Sequence, residues 1–379
     1  MRLPRRALLA CLAAGTCHVR SIAQAGTPGA GVAPRRLVFP GDHGAHLGHD
    51  IEWWYATGLL QRTDARDTAP AFGFQLTFFR SRTGLAGDNP SRFAARQLLF
   101  AHAALSDVAQ RRLLHAERLV RWNGRPDAPH AAASDTDTRV HIGDWRLARS
   151  DAAGPPRYDA ALGDRNAGFA FELTLATTQP LLLQGEQGFS RKGPLPHEAS
   201  HYYSQVQLAV QGRVSLGTQN ALSVRGRAWL DHEWSSAILP AGAVGWDWIG
   251  MNLDDGAALT AFRLRDAQGG TVWSGGSHRA ADGTLRNFED GQTQFEPLHR
   301  WTSAATRATY PVHWRLRCPA GEFVVRALFE AQELDGRNAT GSVYWEGLSA
   351  LEQGGRRAGW GYLEMTGYAA PLRLAPGLR

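Results

Sequence analysis

Reactive side chains in this 379-residue chain are most concentrated in the run Trp229-Leu230-Asp231-His232-Glu233-Trp234, which sets two carboxyl groups and an imidazole among indoles. On an extended strand Trp229, Asp231 and Glu233 project to one face, and Leu230, His232 and Trp234 to the other. Whichever face looks inward carries an ionisable group beside a tryptophan. Some 28 residues before Trp229, His201 and Tyr203 share one face of an earlier strand, a gap that suits strand, turn and returning strand. A buried acid among aromatic rings suits the addition of water to an isolated carbon–carbon double bond. That reaction needs a strong proton donor, a pocket that stabilises a carbocation without attacking it, and one positioned water. Desolvation keeps a carboxyl group protonated near neutral pH, and each aromatic face stabilises a cation by roughly 0.5 to 2 kcal/mol. Asp231 is therefore the candidate general acid, and His201 its polariser or the base for the water. Tyr203, Trp229 and Trp246 would line the cation, with Trp53 and Tyr55 as further substrate contacts. The plainer alternative is an Asp231–His201 hydrogen-bonded pair bracing two strands at a barrel rim.

A second pattern, His197-Glu198-x-x-His201, has the form of a zinc-hydrolase motif, which requires both histidines on one turn of helix. Its surroundings predict a strand instead. Pro194 and Pro196 delay any helix to about His197, and beyond His201 the residues Val206, Leu208 and Val210 alternate with Gln205, Gln207 and Gln211. Four residues of strand separate the two imidazoles by roughly 13 Å, too far for one ion. His43, His46 and His49 recur every third residue, but in a glycine-rich stretch that argues little for a metal. Glu52 and Glu346, each next to a tryptophan, are expected as interior carboxylates bonded to backbone where a barrel closes. No Gly-x-Ser-x-Gly elbow, phosphate-binding loop or dinucleotide fingerprint occurs, so serine hydrolysis and nucleotide chemistry find no support, and neither a metal nor a cofactor is expected.

The elements that position these residues read as strands. Phe72, Phe74, Leu76 and Phe78 alternate with polar or small residues, as do Phe171, Leu173 and Leu175, and again Val312, Trp314 and Leu316. Turn signals fall between such runs, and no long stretch shows a 3.6-residue apolar stripe. The chain is thus all-β, and closed antiparallel barrels would remove the exposed edges that so many strands present. Residues 124–137 and 151–168, rich in Gly, Pro, Ala and Asp, read as loops. Ser235 to Gly245, broken by Pro240 and glycines, reads as a connector. Length alone favours two domains. Glu52-Trp53-Trp54-Tyr55 and Tyr344-Trp345-Glu346-Gly347 echo each other, as two related barrels in tandem would.

Residues 1–25 are expected to be a signal peptide: Arg2, Arg5 and Arg6 precede the apolar run Ala7 to Gly15, and Ala23-Gln24-Ala25 has the form of a cleavage site. Its removal deletes four arginines and no acid, which turns the formal charge of +6 into +2. No basic run with interleaved aromatics remains, so nucleic acid is not an expected partner. Cys11 and Cys17 would leave with the leader, and Cys318 would be alone, without an intrachain disulfide. The expected location is periplasmic or secreted.

The stretch Phe39-Pro40-Gly41-Asp42-His43-Gly44-Ala45-His46 followed by Glu52-Trp53-Trp54-Tyr55 resembles the opening signature of the carotenoid 1,2-hydratase (hydroxyneurosporene synthase) and AttH-like superfamily. Further matches are His201-Tyr202-Tyr203-Ser204, Trp229 to Trp234, Gly245-Trp246-Asp247-Trp248, Tyr344 to Gly347 and Gly361 to Tyr368. The resemblance implies two tandem lipocalin-like antiparallel β-barrel domains, at residues 35–236 and 237–375. It also implies a hydro-lyase acting on an acyclic isoprenoid or similar apolar ligand. In the characterised hydratases a His-x-Trp pair precedes a Tyr-x-Asp pair at close to this spacing, which maps onto His201, Tyr203, Trp229 and Asp231. The acid and the imidazole are kept, and the two aromatic partners are exchanged. The alternative within the same resemblance is a non-catalytic lipophilic-ligand binder at the periplasmic membrane face, beside an export system. A zinc hydrolase through His197, Glu198 and His201 comes third.

Overall fold

The computed structural model describes residues 32–372 apart from 67–68, 85–90, 92–94, 153, 238 and 338–340; the expected leader lies outside the described residues. Alternating apolar and polar residues, with glycine-rich turns between them, produce strands almost everywhere. The first sheet contains β1 (Ile51–Arg62), β2 (Phe72–Arg82), β3 (Gln97–Asp107), β4 (Arg112–Trp122), β5 (Ala131–Ala133), β6 (Arg139–Ile142) and β7 (Trp145–Ser150). It continues with β8 (Arg157–Asp164), β9 (Phe169–Ala176), β10 (Leu182–Leu183), β11 (Phe189–Arg191), β12 (Ala199–Leu216) and β13 (Leu222–Ser235). The second sheet contains β14 (Gly245–Leu253), β15 (Ala258–Arg265), β16 (Thr271–Arg279), β17 (Leu285–Phe288) and β18 (Gln294–Thr302). It ends with β19 (Thr309–Cys318), β20 (Gly321–Ala327), β21 (Glu333–Gly336), β22 (Ser342–Gln353) and β23 (Arg356–Met365). Strands β5 and β8 occupy parts of 124–137 and 151–168, which composition assigns to loops; short strands rich in small residues leave little periodic signal.

Both sheets are antiparallel. The first runs β4-β3-β2-β1-β13-β12-β9-β8-β7-β6-β5, and its ends meet where β4 touches β5, giving a nearly closed barrel. The second runs β17-β16-β15-β14-β23-β22-β20-β19-β18. The architecture is two tandem lipocalin-like β-barrels. Each has its own filled core: Trp54, Phe74, Phe78, Trp145 and Phe171 in the first, Ile249, Trp314, Trp345 and Leu363 in the second.

A third apolar layer joins the two sheets, with Tyr55, Leu59 and Trp229 of the first packed against Trp248, Phe262 and Leu348 of the second. Glycine lets the sheets come close. A Cβ on Gly73 would lie 2.5 Å from the Tyr362 hydroxyl, and one on Gly250 would collide with the Trp248 ring. Polar bonds cross the same layer: Ser106 Oγ donates to Gln332 Oε1 at 2.8 Å, and Asn252 Nδ2 to the Ala228 carbonyl at 3.0 Å. Gln207 adds a third link. Its backbone adopts a positive φ of 54°, and its N–H donates to Asn252 Oδ1 at 2.8 Å.

Candidate active site

The pocket that contains Asp231 lies in this layer between the sheets, with about 120 Å³ of free space. The inward-looking face expected to carry the acid is therefore the one that looks toward the other sheet, not into a barrel. Each barrel interior is filled with its own large side chains, and the room around Asp231 lies where the outer face of one sheet meets the other.

Alternation on the strands decides which residues reach the pocket. On β1, Trp54 and Ala56 enter the first barrel's core, while Trp53 and Tyr55 face the second sheet and line the pocket. On β13, Ala228 and Leu230 face the barrel core, whereas Asp231 and Glu233 line the pocket with Trp229 packed beneath them. Trp246 joins from β14. Asp231, Trp229, Trp53, Tyr55 and Trp246 are thus gathered together as the sequence suggests.

His201 and Tyr203 are not, and their grouping with Asp231 is corrected. Pairing of β12 with β13 sets Ser204 opposite Asp231 and Tyr202 opposite Glu233, so Tyr202 and Ser204 take the pocket face. His201 and Tyr203 lie opposite Trp234 and His232 and point to the barrel side. The cause is a bulge between Gln205 and Leu208. Carried on without it, the register Leu208↔Ala228 would set Gln205 against Asp231 and place His201 and Tyr203 on its face.

Three donors surround the Asp231 carboxyl. Ser204 Oγ and Trp229 Nε1 donate to Oδ1 at 2.5 and 2.6 Å, and the Tyr202 hydroxyl donates to Oδ2 at 2.8 Å. Burial nevertheless dominates and pushes the Asp231 pKa up to about 7, with the three hydrogen bonds opposing the rise and the charge of Glu233 adding to it. The group is therefore poised between acid and carboxylate at neutral pH. Trp248 Nε1 reaches the Tyr202 oxygen at 3.3 Å. At one side Lys192 Nζ stands 3.0 Å from Glu233 Oε1, over the rings of Tyr202 and Phe262.

The second sheet contributes two carboxyls that sequence reasoning did not place here. Glu346 on β22 and Glu364 on β23 are cross-strand partners, and both line the pocket. Burial raises both; the charge of Glu364 adds to the rise of Glu346, and the charges of Asp231 and Glu233 add to that of Glu364, against a hydrogen bond from Trp246. Glu364 is pushed up to about 8 and Glu346 well above the usual carboxylate range. Glu346 thus lies in a pocket wall, where burial favours its protonated form, and is not bonded to backbone at barrel closure as expected. The Tyr344-Trp345-Glu346-Gly347 motif marked the residue; only the pairing of the sheets shows its face. From β3 and β22 come His102 and Tyr344, whose Nδ1 and hydroxyl lie 2.5 Å apart.

On the far side of β1 and β13, a buried polar network fills one end of the first barrel. Glu52 Oε1 accepts from His46 Nδ1 at 2.7 Å and His232 Nε2 at 2.9 Å, and Glu52 Oε2 from Arg80 Nε at 2.8 Å. Burial opposes ionisation of Glu52, but Arg80 and His46 outweigh it and hold its pKa well below the ordinary value. The Tyr203 hydroxyl bridges His43 Nδ1 and His232 Nδ1 at 2.7 and 3.1 Å. His46, Glu52 and His232 bring their ligand atoms within 4.8 Å of one another. Their contacts have hydrogen-bond length, shorter than the about 3.3 Å between ligands around a tetrahedral zinc. The zinc motif forms no metal pair. His197 sits in a turn, Glu198 Oε2 accepts from the Leu195 N–H at 3.0 Å, and His201 belongs to β12, so the chain there is extended and not helical.

A model of the AttH-like family matches residues 30–368. Among solved structures, a protein from Nitrosomonas europaea described as an AttH is 41% identical, with a TM-score of 0.80 over 89% of this chain and 98% of its own. Kievitone hydratase from Nectria haematococca superposes with a TM-score of 0.64 over 88% of this chain and 94% of its own; at 15% identity the likeness is one of fold. The comparison with curated proteins finds no match.

Proposed function

We propose, on the premise that this chain belongs to the AttH-like family, that it adds water across a carbon–carbon double bond at one end of an apolar ligand, with Asp231 as the acid. The leading substrate class is an acyclic isoprenoid such as a carotenoid. The observation that carries this reading is a carboxyl group with a pKa of about 7, enclosed by indole and phenol rings. Such a group holds a proton at neutral pH and can release it to an alkene carbon. The faces of Trp53, Trp246 and Trp248 would then stabilise the cation that results. Size supports action at a ligand's end, since a cavity of about 150 Å³ accommodates benzene and the free space here is about 120 Å³. A long polyene would place one terminus inside and leave its remainder outside. The leader expected over residues 1–25 would deliver the protein to the periplasm or beyond, where membrane-borne lipids are the nearest source of such a ligand.

Purified protein incubated with an acyclic carotenoid in isotopically labelled water should yield a labelled tertiary alcohol. Asp231→Asn should abolish the product while leaving the fold intact. Turnover that survives this substitution would overturn the assignment of the acid. One observation favours a second reading, a carrier without chemistry: three neighbouring donors already hold the Asp231 carboxyl in place as a structural group would be held. A carrier would return the carotenoid unchanged, with quenched tryptophan emission, and Asp231→Asn would scarcely alter affinity.

A further inference from the structure

The pocket wall holds buried polar atoms that lack a well-formed hydrogen bond. Glu346 Oε1 and the Tyr55 hydroxyl lie near each other without closing a bond of normal geometry, Gln75 Oε1 has no partner, and His102 Nε2 has only Glu117 Oε2 at 3.7 Å. Their residues line the same pocket and come from both sheets: Tyr55, Gln75 and His102 from the first, Glu346 from the second. Glu346 is 2% exposed and Tyr55 6%, so bulk solvent does not satisfy them. Native proteins rarely leave several such groups together unbonded, and a cluster of them around free space points to what fills that space.

We propose that the ligand is an oxygenated apolar molecule, carrying a hydroxyl or carbonyl oxygen that Tyr55 and Glu346 bond, and not a pure hydrocarbon. The proposal deepens the hydration reading by narrowing its substrate class, and rests on it only for the pocket being the site. A hydrocarbon would displace water from these atoms and return no hydrogen bond, at a cost of about a factor of ten in affinity for each donor or acceptor left unbonded. An oxygen at the same place recovers those bonds. Burial pushes the Glu346 carboxyl toward its protonated form, in which it can donate as the Tyr55 hydroxyl can, and the two groups reach the same space from opposite sheets, where both suit the lone pairs of one carbonyl or hydroxyl oxygen. Tyr55 is the cross-strand partner of Asp231, and Glu346 reaches in from the opposing sheet, so the bound oxygen would sit across the pocket between the sheets, next to the acid. A hydroxyl or carbonyl held between Tyr55 and Glu346 would thereby fix which carbon meets Asp231.

The test is binding without turnover, read by quenching of the pocket tryptophans with matched ten-carbon probes: myrcene, geraniol and citral. Wild-type protein should bind the alcohol and aldehyde at least tenfold more tightly than the hydrocarbon. Tyr55→Phe and Glu346→Leu should each reduce that preference to a few-fold, since neither replacement can donate to the ligand oxygen, while myrcene affinity should not fall. Equal affinity for the three probes, no measurable affinity for any, or a preference untouched by both substitutions would overturn the proposal, leaving ordered water as the partner of these atoms. Failure of the hydration reading looks different: it is the absence of labelled alcohol in the turnover assay, whatever the order of binding.

Discussion

Replacing Asp231 with Asn tests the central electrostatic claim without any knowledge of the ligand. The Asp231 carboxyl rises from an ordinary 3.8 to about 7 in the folded chain, and each pH unit is equivalent to about 1.4 kcal/mol. Folding therefore binds this proton more tightly, and the product of the two is about 4 kcal/mol. The sign follows from the direction. Stability from this group is complete below pH 4, is lost as the pH rises toward 7, and stays lost above it. Asparagine carries no charge and has no such dependence. Its Oδ1 can still accept from Ser204 and Trp229 while Nδ2 faces the Tyr202 oxygen, so the shape and most bonds persist at a cost of about 1 kcal/mol. Urea unfolding of both proteins between about pH 4 and pH 8 measures the difference directly. Asparagine should be the less stable at pH 4, and the balance should move in its favour by an amount of the order of 4 kcal/mol by pH 8. Glu346 and Glu364 titrate in both proteins and largely cancel, apart from the repulsion Glu364 feels from Asp231. A difference that stays flat across this range would mean an Asp231 of ordinary acidity, with no proton to deliver at neutral pH.

Four further outcomes follow from the same contacts. Tyr202→Phe removes the donor to Asp231 Oδ2, so the midpoint of the titration above, repeated in the Phe background, should move up by about one pH unit. His201→Ala should leave that midpoint where it was, because the bulge in β12 turns His201 to the other face of the sheet; a shift as large as that of Tyr202→Phe would contradict the register. Arg80→Ala strips a fully buried guanidinium from Glu52 and should cost about 3 to 5 kcal/mol by denaturant unfolding. Gly250→Ala pushes a methyl group into the Trp248 ring and should cost about 1 to 3 kcal/mol, with weaker quenching by the ten-carbon probes.

Much of the fold is legible because β-structure with one apolar face writes itself as alternation. Phe72, Phe74, Leu76 and Phe78 announce β2, and Val312, Trp314 and Leu316 announce β19; each set is buried as its period requires. That Trp53, Tyr55, Asp231 and Trp246 line one pocket, with Trp229 bonded to Asp231 beside it, is legible for a related reason: an acid or a polar aromatic within an otherwise apolar strand must be buried against something. What alternation does not reveal is which of two buried faces is the core and which the interface. β1 and β13 are buried on both sides, Trp54 and His232 toward the barrel, Tyr55 and Asp231 toward the second sheet. On that ambiguity the sequence makes Glu346 look structural. The same ambiguity hides Glu364, whose β23 has no unusual composition.

The bulge at Gln207 explains why the acid and the histidine separate, and it does more than shift a register. An inserted residue leaves one backbone N–H without a ladder partner. Here that N–H donates to Asn252 on β14, and the Gln207 side chain donates to the Leu253 and Ala257 carbonyls at 2.9 and 2.7 Å. The residue that rotates His201 and Tyr203 away from Asp231 is therefore also one that fastens the second sheet over Asp231. Were the strand regular, His201 would share the acid's face, and this attachment between the sheets would be absent. The enclosure that raises Asp231 to about 7 thus depends on the same local irregularity that replaces an imidazole with Tyr202 and Ser204 as its neighbours. A pocket assembled this way takes its acid from one barrel and its lid, with Trp246, Trp248 and Glu346, from the other, so neither barrel alone would hold Asp231 out of water.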